Sequence, residues 1–222
     1  MNKEIKFYTN NHFIESDIDL YDFISSTENK NIPPFSDEVI DFINNFSKSI
    51  LLDQGSRKFP ELVVLADFFS KRNIKRISNK VSNKDDSYAL LPLGKTFHIA
   101  PSNVDTIFLY SSLIALMCGN ICLIRLSSQR TEQIDFAIDK LNSLLSQHSN
   151  FLKRLFVFNY GHNDEITRRI SSHIDLRVIW GGDNSVKAIR SIPLNPMARE
   201  LTFPNRFSFT VMKSKEVIFN QY

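Results

Sequence analysis

Two adjacent glycines, Gly181 and Gly182, lie in the stretch VIWGGDNSVKAIR, where an apolar segment is followed by a helical one. This pair has two explanations. It can form a plain turn out of a strand, because glycine adopts positive φ angles that other residues avoid. It can also form a phosphate site, because the free N–H groups and the positive dipole at a helix start attract anions, and glycine allows close approach. The surrounding elements must decide between the two.

From residue 85 onward, the pattern predicts strands that alternate with helices. The strand segments are TFHIA, ICLIRL, RLFVFN and LRVIW, and the helical segments that follow them in turn are residues 104–118, TEQIDFAIDKLNSLLSQ, DEITRRISSH and SVKAIR. The strands are apolar throughout and not only at every second residue, which is typical of a parallel sheet covered on both faces. The sequence therefore predicts an α/β fold with a Rossmann-like parallel sheet.

Four polar loops follow the predicted strands. They are residues 100–103, 125–130, 158–164 and 180–184, and together they are rich in asparagine, serine, arginine and glycine. In open parallel sheets, ligands bind outside the carboxyl ends of the strands, so all four loops are expected at one ligand-binding edge. This concentration favours the phosphate-site explanation for the glycine pair.

Residues 36–82 are predicted to form an N-terminal helical layer. The run FSDEVIDFINNFSKSILL has a helix-start pattern at Ser36 and apolar residues spaced along one face. The run FPELVVLADFFSKRN has Pro60 at its opening and the basic pair Lys71-Arg72 at its close. The polar stretch SNKVSNKDDS is predicted to be the linker to the α/β part.

The composition, with 42% hydrophobic and 23% charged residues, is that of a soluble globular protein and excludes disorder as the main state. A net charge of +3 without a basic run interleaved with aromatics predicts no nucleic-acid partner, although it suits an anionic small molecule. Cys118 and Cys122 have no histidine nearby to complete a metal set. We therefore expect two buried thiols and no metal.

The sequence predicts neither a membrane span nor a secretion signal. The apolar segment 104–124 has the length of a bilayer span, about 20 residues, but Gly119-Asn120 interrupts it. The first residues lack the long apolar core of a signal peptide. We therefore expect a cytoplasmic protein in which this segment forms a buried helix, a bend and a buried strand.

Four motifs occur in a fixed order along the chain. They are RKFPELVVLADFFSKRNIKRI, HIAPSNVDTIFLYSSLIALMCGNICLIRLSSQ, RVIWGGDNSVKAIR and LTFPNRFSF. Together they resemble the LuxC-type fatty acyl-CoA reductases, a branch of the aldehyde dehydrogenase superfamily, and the likeness covers most of residues 36–212. The resemblance implies an aldehyde dehydrogenase-type nucleotide-binding domain. It also implies that NADPH reduces an activated fatty acyl group to a long-chain aldehyde through a thioester on an enzyme cysteine.

The resemblance implies two catalytic residues. Asn103 in PSNV stands where the superfamily has its oxyanion-stabilising asparagine, and an amide donor aimed at the thioester carbonyl stabilises the charge that develops there when hydride arrives. The alternative is that Asn103 caps a helix beginning at Val104. Glu200 in RELTF aligns with a carboxylate that acts as general base in aldehyde oxidation, although Thr202 and Phe203 replace the glycines of that motif. The alternative for Glu200 is a solvated residue in a loop.

The same resemblance places the adenosine end of the cofactor on the loop RLSS. Arg125 takes the place of a lysine that holds the adenosine ribose, and Ser128 takes the place of a glutamate. A carboxylate there would repel a 2′-phosphate, whereas serine next to Arg125 and Arg130 tolerates one. The residues therefore favour NADP(H). The alternative is a solvated basic loop.

Gly181 and Gly182 match the superfamily's turn into the helix that faces the pyrophosphate. The match implies that both glycines lie against the diphosphate. Asp183, next to them, is expected to be the N-cap of the helix and not a ligand contact, because its negative charge opposes that of a phosphate. The full set of predicted cofactor-binding residues is Ser102, Arg125, Ser127, Ser128, Gly181 and Gly182.

The family's nucleophilic cysteine lies downstream of LTFPNRFSF in a second domain, and Cys118 and Cys122 are expected in the core instead. We therefore predict three parts: a mainly helical segment at residues 1–84, an NAD(P)-binding α/β domain at 85–212, and the start of a connection to an absent catalytic domain at 213–222. A truncated product, a fragment and one subunit of a split enzyme all remain open. In each case the isolated chain is expected to bind nucleotide better than it turns over substrate.

Three functions remain in competition. The first is an NADPH-dependent reductase of acyl-CoA or acyl-protein thioesters, complete only with a separate catalytic chain or an acyl-transferring partner. The second, motivated by the absent cysteine, is a non-catalytic nucleotide-binding remnant or the partner subunit of a split acylating aldehyde dehydrogenase. The third is an acylating dehydrogenase for a short acyl group. The residues leave the acyl chain length, the acyl donor and the oligomeric state open, and an oligomer is compatible with them.

Overall fold

A computed structural model describes residues 5–9, 32–82 and 89–211 of the chain, and within them a six-stranded sheet. The strands are β1 (Lys6–Phe7), β2 (Lys95–Ile99), β3 (Ile121–Arg125), β4 (Leu155–Asn159), β5 (Leu176–Trp180) and β6 (Arg199–Phe203). They lie in the order β1-β4-β3-β2-β5-β6. Strands β2 to β6 are all parallel, and β1 pairs with β4 in the antiparallel direction. The predicted parallel α/β sheet is thus confirmed.

Helices follow β1 and lie between the other strands along the chain. They are α1 (Asp37–Leu51), a 3-10 helix (Gln54–Lys58), α2 (Pro60–Phe68), α3 (Lys71–Ser82), α4 (Ile107–Met117), α5 (Glu132–Leu145), α6 (Ser149–Leu152), α7 (Asp164–Ser171) and α8 (Asp183–Arg190). The four helices predicted between and after the strands correspond to α4, α5, α7 and α8. Strands β1 and β6, the 3-10 helix and α6 were not predicted.

Apolar side chains cover both faces of the sheet, because successive strand residues point to opposite sides. On one face, residues such as Cys122 and Ile124 join a cluster that includes the apolar sides of α1, α2, α4 and α5. On the other face, residues such as Leu123 and Phe156 pack with Ile166 of α7 and with Val186 of α8. The N-terminal helices therefore form a layer that shares a core with one face of the sheet.

The N-terminal layer differs from the prediction at one helix boundary. The apolar run that begins at Pro60 ends at Phe68, and a separate helix begins at Lys71. The side-chain oxygen of Asn44 accepts a hydrogen bond of 3.0 Å from the Lys71 backbone N–H, so a contact from α1 satisfies the new helix start. Helix α3 continues to Ser82, which takes up the first half of the predicted linker.

The predicted division into three parts stays a prediction. The remainder of the linker, at residues 83–87, and the proposed connection at 213–222 lie outside the described residues.

The apolar segment at residues 104–124 forms a helix, a bend and a strand, as predicted. Helix α4 ends at Met117, and Gly119 has a φ of +82° that favours glycine. The side chain of Asn120 fixes the bend: its oxygen accepts from the backbone N–H groups of Leu93 and Gly94, at 2.7 and 3.0 Å. Among the described helices, none is long and apolar enough to cross a membrane.

Candidate functional site

We call the space between the loops after β2 and β5, at the carboxyl edge of the sheet where the strand order reverses, the crevice. Strands β3 and β4 lie on one side of β2, and β5 and β6 lie on the other. The loop after β2, residues 100–106, therefore faces the loop after β5, residues 181–182. Ligands of open α/β sheets bind at this reversal point, between the two loops. The parallel strands also bring the other predicted polar loops to the same edge.

The glycine pair does not form a turn that requires glycine. Gly181 and Gly182 have no positive φ, and Gly182 is the N-cap of α8 with φ −66° and ψ 161°. A Cβ atom added to Gly182 would have its nearest neighbour at 3.7 Å, the side-chain oxygen of Asn205. At Gly181 the added atom would lie 3.3 Å from the Cβ of Ser185. No side chain of the glycine pair covers the backbone in front of α8, which leaves its N–H groups accessible to an anion, although the Asp183 carboxylate places a negative charge in the first turn.

Asp183 was predicted to be the N-cap of this helix, and that prediction was wrong. It is the first residue of α8, and its carboxylate instead accepts a hydrogen bond of 3.1 Å from the backbone N–H of Asn205. The cap position belongs to Gly182, because the extended backbone of that residue leads directly into the helix. The contact ties the chain after β6 to the crevice.

Ser102 and Asn103 are exposed on the opposite side of the crevice. Asn103 does not cap α4, since the N-cap is Thr106 and the helix begins only at Ile107. The loop is held by Asp105, whose carboxylate accepts a 2.5 Å hydrogen bond from the hydroxyl of Thr131 at the start of α5. Within the described part of the chain the Asn103 amide has no hydrogen-bond partner, so its N–H groups are available to a ligand oxygen.

Arg125 ends β3, and its guanidinium connects two loops. It donates to the carbonyl oxygen of Gly161 and lies 4.9 Å from the ring centroid of Tyr160. Burial raises the pKa of the Tyr160 hydroxyl to about 12, so this contact is a cation over a neutral ring. The Nε atom of Arg125 is buried and has no partner among the described residues. The side chain therefore already has a structural role at the predicted ribose position.

The other side chains of the RLSS loop are held locally. The hydroxyl of Ser127 donates to the carbonyl oxygen of Gln129 at 3.1 Å, and Ser128 is exposed. Arg130 forms an ion pair with Asp135 and lies 4.2 Å from the ring centroid of Tyr8. A 2′-phosphate on this loop would have to draw Arg130 away from these contacts or share it with them.

Glu200 lies in β6 and not in a loop, and the structure does not bring it near Asn103. Glu200 pairs with Arg177 in the strand register and lies three residues before the carboxyl end of β6. At about 3.3 Å per residue, it is about 10 Å from that end of the strand. One oxygen accepts from Arg177 at 2.7 Å and the other from Arg190 at 2.9 Å. Both carboxylate oxygens are therefore engaged away from the crevice.

Neither described cysteine is poised as a nucleophile. Cys122 is fully buried, and burial raises the pKa of its thiol to about 12. Cys118 is only half-buried at the end of α4, less than predicted, but burial raises its pKa as well. Because the thiolate is the reactive form, both side chains stay inert near neutral pH.

The structure adds a polar chain to the crevice that was not predicted. The indole N–H of Trp180 donates to the Ser111 hydroxyl at 3.0 Å, and Ser111 lies 2.7 Å from Nδ1 of His98. Nε2 of His98 lies 2.8 Å from the hydroxyl of Thr96. Two signals in the sequence could have pointed to it: a histidine inside an apolar strand, and the chain's single tryptophan directly before the glycine pair.

The strand order and the helices on both faces define a Rossmann-like α/β fold of the aldehyde dehydrogenase type. Solved structures share this fold at very low sequence identity. A NAD-dependent benzaldehyde dehydrogenase from Corynebacterium glutamicum matches 91% of this chain and 50% of its own, with a TM-score of 0.56 and 10% identity. A 1-pyrroline-5-carboxylate dehydrogenase variant from Thermus thermophilus matches 82% of this chain and 40% of its own, with a TM-score of 0.56 and 11% identity.

The family model for Acyl-CoA reductase (LuxC) matches residues 37–221, and the chain belongs to this family. The long-chain acyl-protein thioester reductase of Aliivibrio fischeri is 26% identical over 130 residues, which are 57% of this chain and 26% of the relative. That of Photorhabdus laumondii is 27% identical over 134 residues, 58% of this chain and 27% of the relative. The match thus spans about a quarter of the length of these curated relatives.

Proposed function

We propose that the chain is the cofactor-binding part of an NADPH-dependent reductase that converts an acyl thioester to a long-chain aldehyde. The observation that carries the proposal is the crevice at the strand-order reversal, where an exposed amide, that of Asn103, faces the bare helix start at Gly182. Family membership and the names of the relatives support the acyl thioester as substrate.

In this proposal the N-terminus of α8 binds the diphosphate of the cofactor. The backbone N–H groups that follow Gly182 point out of the helix start, and the helix dipole favours negative charge there. Gly182 lets the phosphate oxygens approach because it presents no side chain. Ser102, on the facing loop, is exposed and able to donate its hydroxyl to the same ligand.

Asn103 supplies the electrostatic part of the chemistry. When bound, a reduced nicotinamide would supply the hydride that the thioester carbonyl carbon needs; the carbon–sulfur bond would then break, and the departing thiolate would take a proton from solvent. Negative charge develops on the carbonyl oxygen during this step, and the Asn103 amide would donate a hydrogen bond to it. Loss of one such donor costs about 100- to 1000-fold in rate.

The preference for NADP(H) rests on the charge of the loop after β3. Ser128 is exposed there without a carboxylate, and Arg125 and Arg130 supply two positive charges. Both arginines also contact aromatic rings and carry other partners, so a 2′-phosphate would compete with those contacts. We place the reaction in the cytoplasm, where the two free thiols stay reduced.

A second candidate function is a nucleotide-binding module without catalysis of its own, or one chain of a split enzyme. It is favoured by the burial of both described thiols, which raises the pKa of each and makes the reactive thiolate scarce. Apolar side chains at and after β6 would then form the partner surface, among them Leu201, Phe207 and Phe209, which are exposed.

The experiment that separates these functions is a reductase assay on this chain joined to the downstream segment of a long-chain acyl-protein thioester reductase, because neither described cysteine offers a nucleophile and both functions predict little turnover by the chain alone. Long-chain acyl-CoA and an acyl-protein thioester are each incubated with NADPH, and aldehyde is measured together with NADPH consumption. Aldehyde from either donor supports the reductase and identifies the donor. Nucleotide binding without aldehyde from either donor supports the non-catalytic module, and the Asn103→Ala variant should reduce any observed rate about 100-fold.

A further inference from the structure

We propose that Trp180 and Phe203 form an aromatic platform at the mouth of the crevice, against which one flat ring of a bound dinucleotide packs. Ser111 and His98 are positioning residues that hold the indole of Trp180 in place. The inference rests on the proposed function, since it requires a nucleotide in the crevice, and it names the residues that receive one of its rings.

The two rings of the platform are stacked across the last paired positions of β5 and β6. Trp180 pairs with Phe203 in the strand register, and their ring centroids are 3.8 Å apart with planes only 8° from parallel. Trp180 is half-buried and Phe203 is 40% exposed. The platform lies directly before Gly181, at the edge where the diphosphate is proposed to bind. A flat aromatic surface that stays accessible there suits a heterocyclic ring.

The hydrogen bonds of the indole have a single consistent direction. The Thr96 hydroxyl donates to the carbonyl oxygen of Ile121 at 2.9 Å, so its oxygen accepts from Nε2–H of His98. Nδ1 of His98 is then the acceptor, and the Ser111 hydroxyl donates to it. The Ser111 oxygen is left to accept from the indole N–H of Trp180. Each donor in this series of hydrogen bonds has one acceptor. The tautomer of His98 and the orientation of the indole are therefore fixed together.

The indole is also supported from the α4 side. Tyr110 lies 6.3 Å from it in an edge-on arrangement, and Tyr110 in turn contacts Phe68 and Phe69 of the N-terminal layer. Trp180 is therefore fixed by a partly buried hydrogen bond to Ser111 and by its contact with α4, while Phe203 on its other side is partly exposed.

Because Trp180 is the only tryptophan in the chain, its fluorescence reports on the platform alone. The full chain is titrated with NADPH by calorimetry and by fluorescence in parallel. Reduced nicotinamide can quench an indole from a distance by energy transfer. ADP and oxidised nicotinamide mononucleotide quench it only by close contact, so they are titrated separately. We expect NADPH to bind and to change the emission. Quenching by ADP assigns the ring to adenine, and quenching by the mononucleotide assigns it to nicotinamide.

Variants test the two roles. Phe203→Ala, at a partly exposed position, should weaken NADPH binding about three- to tenfold, the contribution of one aromatic pair. Ser111→Ala should weaken binding by a similar factor and shift the emission of Trp180, and Ser111→Thr should restore both. Ser112→Ala is the matched control: Ser112 is the neighbouring buried hydroxyl on α4, and it donates to carbonyl oxygens of its own helix at Phe108 and Leu109.

The outcomes distinguish the inference from the function on which it rests. If NADPH binds but the emission of Trp180 stays unchanged in every titration, the platform is refuted while the cofactor site stands. Equal effects of Ser111→Ala and Ser112→Ala refute the positioning role. If calorimetry detects no nucleotide at all, the proposed function fails and the platform fails with it.

Discussion

Arg177 and Glu200 occupy the same register position on β5 and β6 and form an ion pair in which the arginine side chain is only 2% exposed. The guanidinium also donates to the Ser171 hydroxyl and to the Ile192 carbonyl oxygen, at 3.1 and 3.0 Å. Arg190 approaches the same carboxylate from the surface. The pair thus joins two strands and the connection after α8, at the opposite end of β6 from the crevice.

This geometry predicts a structural effect for Glu200→Gln. Removal of the negative charge leaves the buried Arg177 cation without its counter-ion, which costs about 3 kcal/mol of unfolding free energy. Nucleotide affinity should stay within about twofold of the parent, because the carboxylate lies away from the crevice. Urea unfolding and calorimetric titration measure the two quantities.

Glu165→Gln is the matched control, because Glu165 pairs with Arg168 and Arg169 on the exposed side of α7. Such surface pairs contribute at most about 1 kcal/mol. A Glu200→Gln protein that keeps its stability but loses acyl-thioester reduction would instead support the general-base role predicted from the sequence.

Gly182→Ala should separate binding from folding. The φ of −66° suits alanine, and the added Cβ meets nothing closer than 3.7 Å, so the unfolding free energy should change by less than about 1 kcal/mol. The same methyl group would cover the bare backbone at the start of α8 and weaken NADPH binding about tenfold or more. Ala188→Ser, at an exposed position in the same helix, is the control. Unchanged affinity in Gly182→Ala would place the diphosphate elsewhere.

The burial of His98 predicts that the protein loses stability in mild acid. Burial lowers the pKa of its imidazole to about 3, whereas in the unfolded chain the pKa is about 6.5. Between these values only the unfolded state binds the proton, so stability is complete above pH 6.5 and falls as the pH decreases. The loss is about 2 kcal/mol at pH 5.

The measurement is urea unfolding of the parent and of His98→Asn across this range. The variant should be less stable at pH 7 but should lack the slope between pH 6.5 and 5. His173→Asn, at an exposed histidine, should keep the slope. Carboxylates whose pKa is lowered by cationic partners, such as Asp41 and Glu165, lose their contribution only as the pH falls below their ordinary range, so they do not obscure the test. An unchanged slope in His98→Asn would mean that the imidazole is not buried as a neutral group.

The two cysteines should resist both alkylation and acylation in the folded chain. Burial raises the pKa of each thiol, so the reactive thiolate is scarce at neutral pH. Mass spectrometry after incubation with iodoacetamide or with long-chain acyl-CoA should show an unmodified chain, and both thiols should react in denaturant. Rapid acylation of Cys118, the less buried thiol, would show that the described residues supply a nucleophile after all.

The parallel sheet could be predicted because its strands are continuous apolar runs, a pattern that requires cover on both faces. The position of the crevice followed from the same pattern, since parallel strands place their following loops at one edge. The boundary between α2 and α3 could not be found locally, because the apolar run continues through Phe68 and Phe69 and the new helix start is satisfied by Asn44 from α1.

Side-chain roles were harder to predict than the fold, because their partners come from distant parts of the chain. Arg125 donates to the Gly161 carbonyl, 36 residues later. Glu200 looked like a loop residue because only its strand register with Arg177 reveals the ion pair. The sequence suggested that the glycine pair forms a turn that needs glycine, but any residue can adopt the backbone angles found there. What distinguishes the pair is that it places no side chain at the start of α8.

The most direct test of the account is calorimetric titration of the full chain with NADPH and, in parallel, with NADH. The account predicts that NADPH binds, that NADH binds more weakly, and that Gly182→Ala weakens both. Equal affinity for the two nucleotides would refute the proposal that the loop after β3 recognises the 2′-phosphate. Failure of both nucleotides to bind, or binding that ignores Gly182→Ala, would contradict the central claim that the crevice between β2 and β5 holds the cofactor.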